Sequence, residues 1–327
     1  MSTLIKIPEN QPDRSVFSYK EAIKKMVKIR TAEIFIRDSF WDEKIFSFLH
    51  LSIGQEASAV GVSIALDTKD LMLGNHRSHG HYLAKGGDLS KMIYEVFGDR
   101  RGCCKGYGGS MHMLDKSAGF MGTTPILGSV ASIGVGQSFA YQMIHPKSVV
   151  VVFLGDGASE EGTFMESVNL AVNKSCNIIF VIEDNKYSVQ SNKLDRRSKY
   201  YSHKLLFEGL GAMYFRENGQ DVEAVFNATS NALEFARKGR PVVLHLDVLR
   251  SHTHSGPILE TKDESYRDKG DTIISRELND CILLASNKAT SKGSSKNAIK
   301  SWIETEKADT LRVISKVKSK VEVRSFD

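Results

Sequence analysis

The chain has 327 residues, 41% hydrophobic and 25% charged, enough for one large or two moderate globular domains. A formal charge of +5 is too slight a basic excess for a nucleic-acid surface, and no apolar run is long enough to span a bilayer. Four cysteines, two of them adjacent at Cys103-Cys104, make neither a metal spacing nor a disulfide framework, and the N-terminus lacks a secretory apolar region, so the sequence reads as a reduced, cytoplasmic protein.

Residues 1–16, with two prolines, read as an extended arm. Ser18-x-x-Glu21 is a capping box, and Ile23, Met26, Val27 and Ile34 then recur at helical spacing, predicting an amphipathic surface helix that ends near Trp41. Phe46–Leu66 is broken at Gly54, after which Ala57, Ala59, Gly61 and Ser63 predict a helix that a neighbour approaches closely. His50 lies in this stretch, and His76-Arg77-Ser78-His79-Gly80-His81 follows it. The spacing of those three histidines fits no common zinc pattern. An anion site suits the segment better, because Arg77 offers a planar donor fork to phosphate oxygens and a neighbouring imidazole donates or shuttles a proton. Histidines that cap helices or fill polar gaps are the alternative, chiefly for His81. Residues 98–136 are too dense in glycine for regular structure over much of their length. A long ordered loop is predicted, with N–H groups that receive an anion or a heterocycle edge.

Val149–Leu154 and Ile178–Ile182 are short, β-branched and unalternated, as parallel strands covered on both faces are. Gly155-Asp156-Gly157 ends the first and Glu183-Asp184-Asn185 the second. A right-handed crossover brings both carboxyl ends to one crevice, where ligands bind in open α/β sheets. Side-chain oxygens of Asp156 and Asn185 aimed at one point suit Mg²⁺. Asp195–Lys204 reads as a surface loop, Val222–Arg237 as a helix and Pro241–Leu249 as a strand whose carboxyl end carries Arg250, His252, His254 and Ser255. Ser286–Lys296 has linker composition, followed by a charged, solvated helix from about Ser301 to Val321. The division expected is an arm and helix over 1–45, an α/β domain over 46–285, and a linker with a C-terminal helix over 286–327.

GDGASEEGTFMESVNLA with IEDNKYS resembles the thiamine diphosphate motif of the α subunit in the two-subunit E1 component of 2-oxo-acid and acetoin dehydrogenase complexes. HLSIGQEA, CKGYGGSMHM and RSHTHS are similar to further segments of that family, and His-Arg-x-His-Gly-His is nearer its acetoin branch than its pyruvate branch. The resemblance implies a thiamine diphosphate-binding fold, a doubly wound, mostly parallel sheet with helices on both faces. It implies Mg²⁺ ligands at Asp156, Asn185 and the Tyr187 carbonyl. Cofactor contacts are implied at Arg77, Leu127, Gly128, Gly155, Asp156, Gly157, Ala158, Asn185 and Arg250. His254 and His50 are implied to be catalytic, and Ser255 matches a position phosphorylated in some relatives. The chain departs from the family pattern at His76 for Tyr, Pro125 for Gly, Ser132 for Pro and Asp184 for Asn.

The resemblance also implies half an enzyme. The glutamate that activates the pyrimidine ring belongs to a β subunit in an α2β2 heterotetramer, and Glu160, Glu161 and Glu166, on the diphosphate side, are not given that role. Pyruvate, a branched 2-oxo acid or acetoin is cleaved next to its carbonyl, and the acyl unit passes to a lipoyl group of an E2 component. A thiamine-dependent carboligase without lipoyl transfer and a non-catalytic relative stay open as alternatives.

Overall fold

The computed structural model describes residues 16–41, 45, 47–258 and 279–322. All but the last residue of the arm expected over 1–16 lies outside them. Six strands form one parallel sheet: β1 Leu71–Gly74, β2 Phe120–Thr123, β3 Val150–Gly155, β4 Ile178–Asp184, β7 Met213–Asn218 and β8 Val242–Asp247, in the order β2-β1-β3-β4-β8-β7. A two-stranded hairpin, β5 Tyr187–Ser188 and β6 Ser191–Asn192, stands off the end of β4.

The helices are α1 Tyr19–Ser39, α2 Glu56–Ala65, α3 His79–Lys85, α4 Leu89–Val96, α5 Ser129–Gln142, α6 Gly162–Asn173, α7 Lys193–Arg196, α8 His203–Gly209, α9 Val222–Ala236, α10 Cys281–Ser291 and α11 Lys296–Lys318. They cover both faces of the sheet. Val149, Val151, Phe153, Ile179 and Val181 enter a core with α1, α2, α3, α4, α9, α10 and α11. Val150, Val152, Leu154, Ile178, Phe180 and Ile182 enter a second core with α5, α6 and α8. Alternate residues of β3 and β4 thus feed opposite cores, which is why neither strand shows a polar face in the sequence. The sheet is α/β and doubly wound, as expected.

Three sequence expectations change. The first helix is no surface helix: Ile29, Ala32, Glu33 and Ile36 are buried along with Ile23, Met26 and Val27, under α2, α3, α10 and α11. The glycine-dense stretch contains β2, whose backbone pairs in parallel with β1, ahead of the helix that opens at its end, Ser129–Gln142, as its glycines predict. The linker composition from Ser286 continues α10 to Ser291, and α11 starts at Lys296 behind a Ser295 cap that accepts from Ala298 N. Ile299, Thr310, Ile314 and Val317 of α11 are buried, and Lys24 pairs with Glu306 at 3.1 Å.

The small residues of α2 do what their size predicts. A Cβ on Gly61 would stand 2.7 Å from two carbons of Val225 and 2.8 Å from the Val222 carbonyl. Helix α9 therefore meets α2 at backbone distance. Gly61→Val is expected to destabilise the fold by about 1–3 kcal/mol or more, the usual cost of overpacking, read as a lowered midpoint in urea at unchanged slope.

Candidate active site

The register of the sheet builds the site. Gly155 pairs with Glu183, so the turns after β3 and β4 leave the sheet side by side. A Cβ on Gly157 would lie 2.5 Å from Ser188 Oγ, so the GDG turn and the hairpin touch. Between them opens a narrow cleft, part of it open to solvent. Arg77 and Leu127 line it from one side, Gly155, Asp156, Gly157 and Ala158 from the GDG turn, Asn185 and Tyr187 from the second turn, and His254 from the segment after β8. Three further expected residues stand behind this lining. Gly128 precedes α5, His50 is buried against the rings of His76 and His254, and Arg250 is 1% exposed.

The donors of the cleft are mostly cationic or neutral nitrogens. Arg77 Nη1 donates to the Leu51 carbonyl at 2.6 Å and Nη2 to the His254 carbonyl at 3.0 Å. Arg77 is buried and meets no carboxylate among the described residues. Burial, and then the neighbouring Arg250 guanidinium, push it down to about 9, so it stays cationic at neutral pH. Arg250 Nη2 donates to the Val189 carbonyl at 3.2 Å. Val189 is a β-branched residue at φ 54°, a strained backbone in the cleft wall.

The acceptors lie opposite. Asp156 Oδ2 accepts from Arg196 Nη2 at 2.5 Å, while Oδ1 accepts no hydrogen bond among the described residues. Burial and then the Asp184 charge raise Asp156, against Arg196. Asn185 Oδ1 accepts from Tyr187 N at 3.1 Å, closing the turn. Gln55 Nε2 and both ring nitrogens of His76 are buried and find no partner among the described residues. The donor chemistry fits a metal-bound diphosphate: hard oxygens on one wall, guanidiniums on the other, and unused polar atoms between.

Asp184, the departure beside the proposed metal ligand, turns away from the cleft. Its Oδ2 accepts from Lys193 Nζ at 2.6 Å and from His245 Nε2 at 3.0 Å. Burial alone would raise its pKa, but those two bonds hold it well below the usual carboxylate range. The extra charge is neutralised within the protein. Arg196 and Arg197, in the stretch expected to be a surface loop, both donate to Glu160, and Arg197 Nη2 reaches the Asp156 carbonyl at 3.0 Å.

His79 and His81 take the polar-gap role. His79 Nδ1 donates to Glu33 at 3.0 Å and His81 Nε2 to Glu183 at 3.1 Å; Glu183 also accepts from Ser58. The sequence reading gave no site role to Gln55, Asn75, Glu183, Ser188 and Val189, which line the cleft, or to Arg196, which reaches Asp156. Gln55, Glu183 and Ser188 lie inside HLSIGQEA and IEDNKYS, but nothing in those segments singles out their side chains, and Asn75, Val189 and Arg196 lie outside every motif. His203 lies behind the GDG turn, where Nε2 donates to Ser159 Oγ at 3.2 Å. Burial, then Arg197, push it down to about 3 from an unfolded value near 6.5. The folded pKa is the lower one, so its stability is full above pH 6.5 and is lost as pH falls toward 3. His203→Gln is expected to flatten the fall of the thermal midpoint over that window.

A family model described as the dehydrogenase E1 component matches residues 24–322. The chain belongs to that family. It is similar to the α subunit of acetoin:2,6-dichlorophenolindophenol oxidoreductase from Cupriavidus necator, with 36% identity over 271 residues, 83% of this chain and 80% of that protein. The Bacillus subtilis protein of the same name is 34% identical over 268 residues, 79% and 76% of the two chains. The pyruvate dehydrogenase E1 component subunit alpha of Rhizobium meliloti is 32% identical over 274 residues, 84% and 77%. This chain is thus an E1 subunit of a thiamine diphosphate-dependent oxidoreductase family, whose relatives above are named for acetoin and for pyruvate. Nothing in these comparisons favours a carboligase or a non-catalytic relative. An α subunit implies a β partner, and no helix among the described residues is long and apolar enough to cross a membrane.

Proposed function

We propose that the cleft is the diphosphate-and-metal half of a thiamine diphosphate site that a β subunit completes in an α2β2 assembly. The observation that carries this reading is Arg77, a buried cation with no carboxylate in ion-pair contact among the described residues, held near Arg250 and across from Asp156 and Asn185. Two guanidiniums so close in a buried site call for an anion between them. Asp156, Asn185 and the Tyr187 carbonyl are the ligands for Mg²⁺. Gly155, Gly157 and Ala158 would let backbone approach the diphosphate, Gly128 would support that turn from behind the lining, and Leu127 would hold the cofactor from the opposite wall. When bound, thiamine diphosphate supplies the nucleophilic carbon and the electron sink for carbon–carbon cleavage. His254 and His50 face the reacting groups as hydrogen-bonding imidazoles.

Among the described residues, none of the glutamates near the cleft suits the pyrimidine-activating role. Glu160 is held by Arg196 and Arg197 and Glu183 by Ser58 and His81, while Glu161 and Glu166 are exposed. That role falls to the β subunit, and the acyl acceptor is a lipoyl group on E2. Among substrates acetoin is favoured. With both arginines on the diphosphate, the other donors lining the cleft are neutral imidazoles, the amides of Gln55, Asn75 and Asn185 and the Ser188 hydroxyl, which suit a hydroxyl and a carbonyl better than a carboxylate. The relatives named for acetoin point the same way. Four free thiols suit a reducing cytoplasm.

The test is reduction of an artificial electron acceptor by the chain co-purified with its β subunit, with Mg²⁺ and thiamine diphosphate. Acetoin, pyruvate and branched 2-oxo acids are compared. Reduction with acetoin, absent without either subunit, is expected. Reduction with pyruvate alone overturns the substrate assignment, and no reduction by a cofactor-loaded complex overturns the dehydrogenase reading. Arg77→Ala is expected to weaken cofactor binding in calorimetry; unchanged affinity removes the arginine from the site.

A further inference from the structure

Three side-chain clusters among the described residues bring potential ligand atoms within 4.8 Å of one another. Two of them are already satisfied. In the Glu95, Cys103 and Cys104 cluster, the Glu95 carboxylate accepts from the backbone nitrogens of Cys104, Gly106, Gly108 and Gly109 and serves as the core of a loop. In the Asp184, His245 and Asp247 cluster, Lys193 and Arg216 neutralise the two carboxylates. The third cluster is His50, His76 and His254, with no carboxylate and no neighbouring donor taking its ring nitrogens.

We propose that His50, His76 and His254 form a binding site for one borderline transition-metal dication, such as Zn²⁺, at the mouth of the cleft. The three come from separate segments: the loop before α2, the turn after β1 and the turn after β8. Their ring centroids are 4.4 Å (His50–His76), 5.0 Å (His50–His254) and 5.3 Å (His76–His254) apart. His50 Nδ1 donates to the His254 carbonyl at 2.7 Å, which fixes the tautomer and leaves Nε2 with its lone pair. A backbone carbonyl on the far ring nitrogen is the usual support of a metal-binding histidine. Both nitrogens of His76 are buried and unpartnered among the described residues.

The protonation state also suits a metal. Burial, and then Arg77, push His50 down to about 4 and His254 to about 3, and His76 lower still, so all three rings are neutral at pH 7. Zn–N bonds of about 2.0–2.1 Å place tetrahedral ligands about 3.4 Å apart. The nitrogens, within 4.8 Å, must close by no more than roughly 1.4 Å, a matter of small side-chain rotations. Three imidazoles leave a fourth position for water or a substrate oxygen. Hard Mg²⁺ prefers the Asp156 and Asn185 oxygens, so the two metals sort by ligand type. Arg77 and Arg250 oppose a dication and hold the site to moderate affinity. Occupancy blocks the approach to the cleft, making such ions inhibitors of the assembled enzyme.

The experiment uses the full chain, stripped with chelator and free of cofactor, with Cys103→Ser and Cys104→Ser to remove thiolate ligands. Co²⁺ is titrated by its visible ligand-field bands and Zn²⁺ by calorimetry. One equivalent with a Kd below about 100 μM, nitrogen-type bands and no displacement by excess Mg²⁺ are expected. His76→Tyr and His254→Ala are each expected to weaken binding at least about tenfold, a change of 1.4 kcal/mol. Thermal unfolding checks that each variant is folded, and either one suffices. No bound equivalent, displacement by Mg²⁺, or undiminished affinity in a folded variant overturns the proposal.

Discussion

Asp156→Ala is expected to abolish Mg²⁺-dependent binding of thiamine diphosphate while leaving the cofactor-free protein as stable as before, or more so. Loss of a partner that merely supports a metal ligand costs about 10–100-fold in affinity, so loss of the ligand carboxylate itself costs about 100-fold or more. The stability half follows from the electrostatics of the turn itself. Burial and the adjacent Asp184 both penalise the Asp156 charge, and Arg196 offsets only part of that. Removing the carboxylate does not strand the arginine, because Arg196 Nε still donates to Glu160 at 2.9 Å. Two measurements separate the effects: calorimetric titration of cofactor with Mg²⁺ into the α/β complex, and the thermal midpoint with and without cofactor. The variant should lose the cofactor-induced rise and keep its basal midpoint. A retained rise removes Asp156 from the ligand set.

The parts of this site that were legible in the sequence are those whose chemistry is local. β3 and β4 announce themselves because burial on both faces forces unbroken β-branched runs, and the turns that follow them carry Asp156 and Asn185 at strand ends. What depends on distant partners was not legible. The polar face expected of α1 vanished because α10 and α11, more than 200 residues downstream, cover it. His79 and His81 look like site residues until Glu33 and Glu183 take their nitrogens. β2 hides in a glycine-dense stretch because a four-residue edge strand is decided by its pairing with β1 rather than by its own pattern.

Arg196 and Asp184 show the same limit at the metal turn. Arg196 sits in a charged run that looks solvated, yet the hairpin returns it onto Asp156 and Glu160. Asp184 looks like an added charge beside a metal, yet Lys193 and His245 claim its carboxylate from the other side. The departure from Asn and the lysine nine residues on are therefore one feature: Lys193 and His245 offset the added carboxylate from behind, and what is left of its charge is felt at Asp156.

His254→Ala is expected to cost about 10²–10³-fold in kcat with cofactor affinity unchanged. The carbonyl of His254 accepts from both Arg77 and His50, so two buried donors fix the backbone and aim the side chain at the cleft. Those bonds survive the substitution, which is why binding should. The manner of action follows from the pKa. Burial and Arg77 hold the ring at about 3, so in the cofactor-free protein it is a neutral N–H donor rather than a stored proton. A neutral imidazole kept from protonating stabilises charge developing on a substrate oxygen by hydrogen bonding. His254→Asn retains an N–H donor and should therefore recover at least about tenfold of the loss, since a single such donor contributes roughly 10²–10³-fold. Equal activity of the Asn and Ala variants would instead assign His254 to proton transfer, and a raised cofactor Kd in either would make it a binding residue.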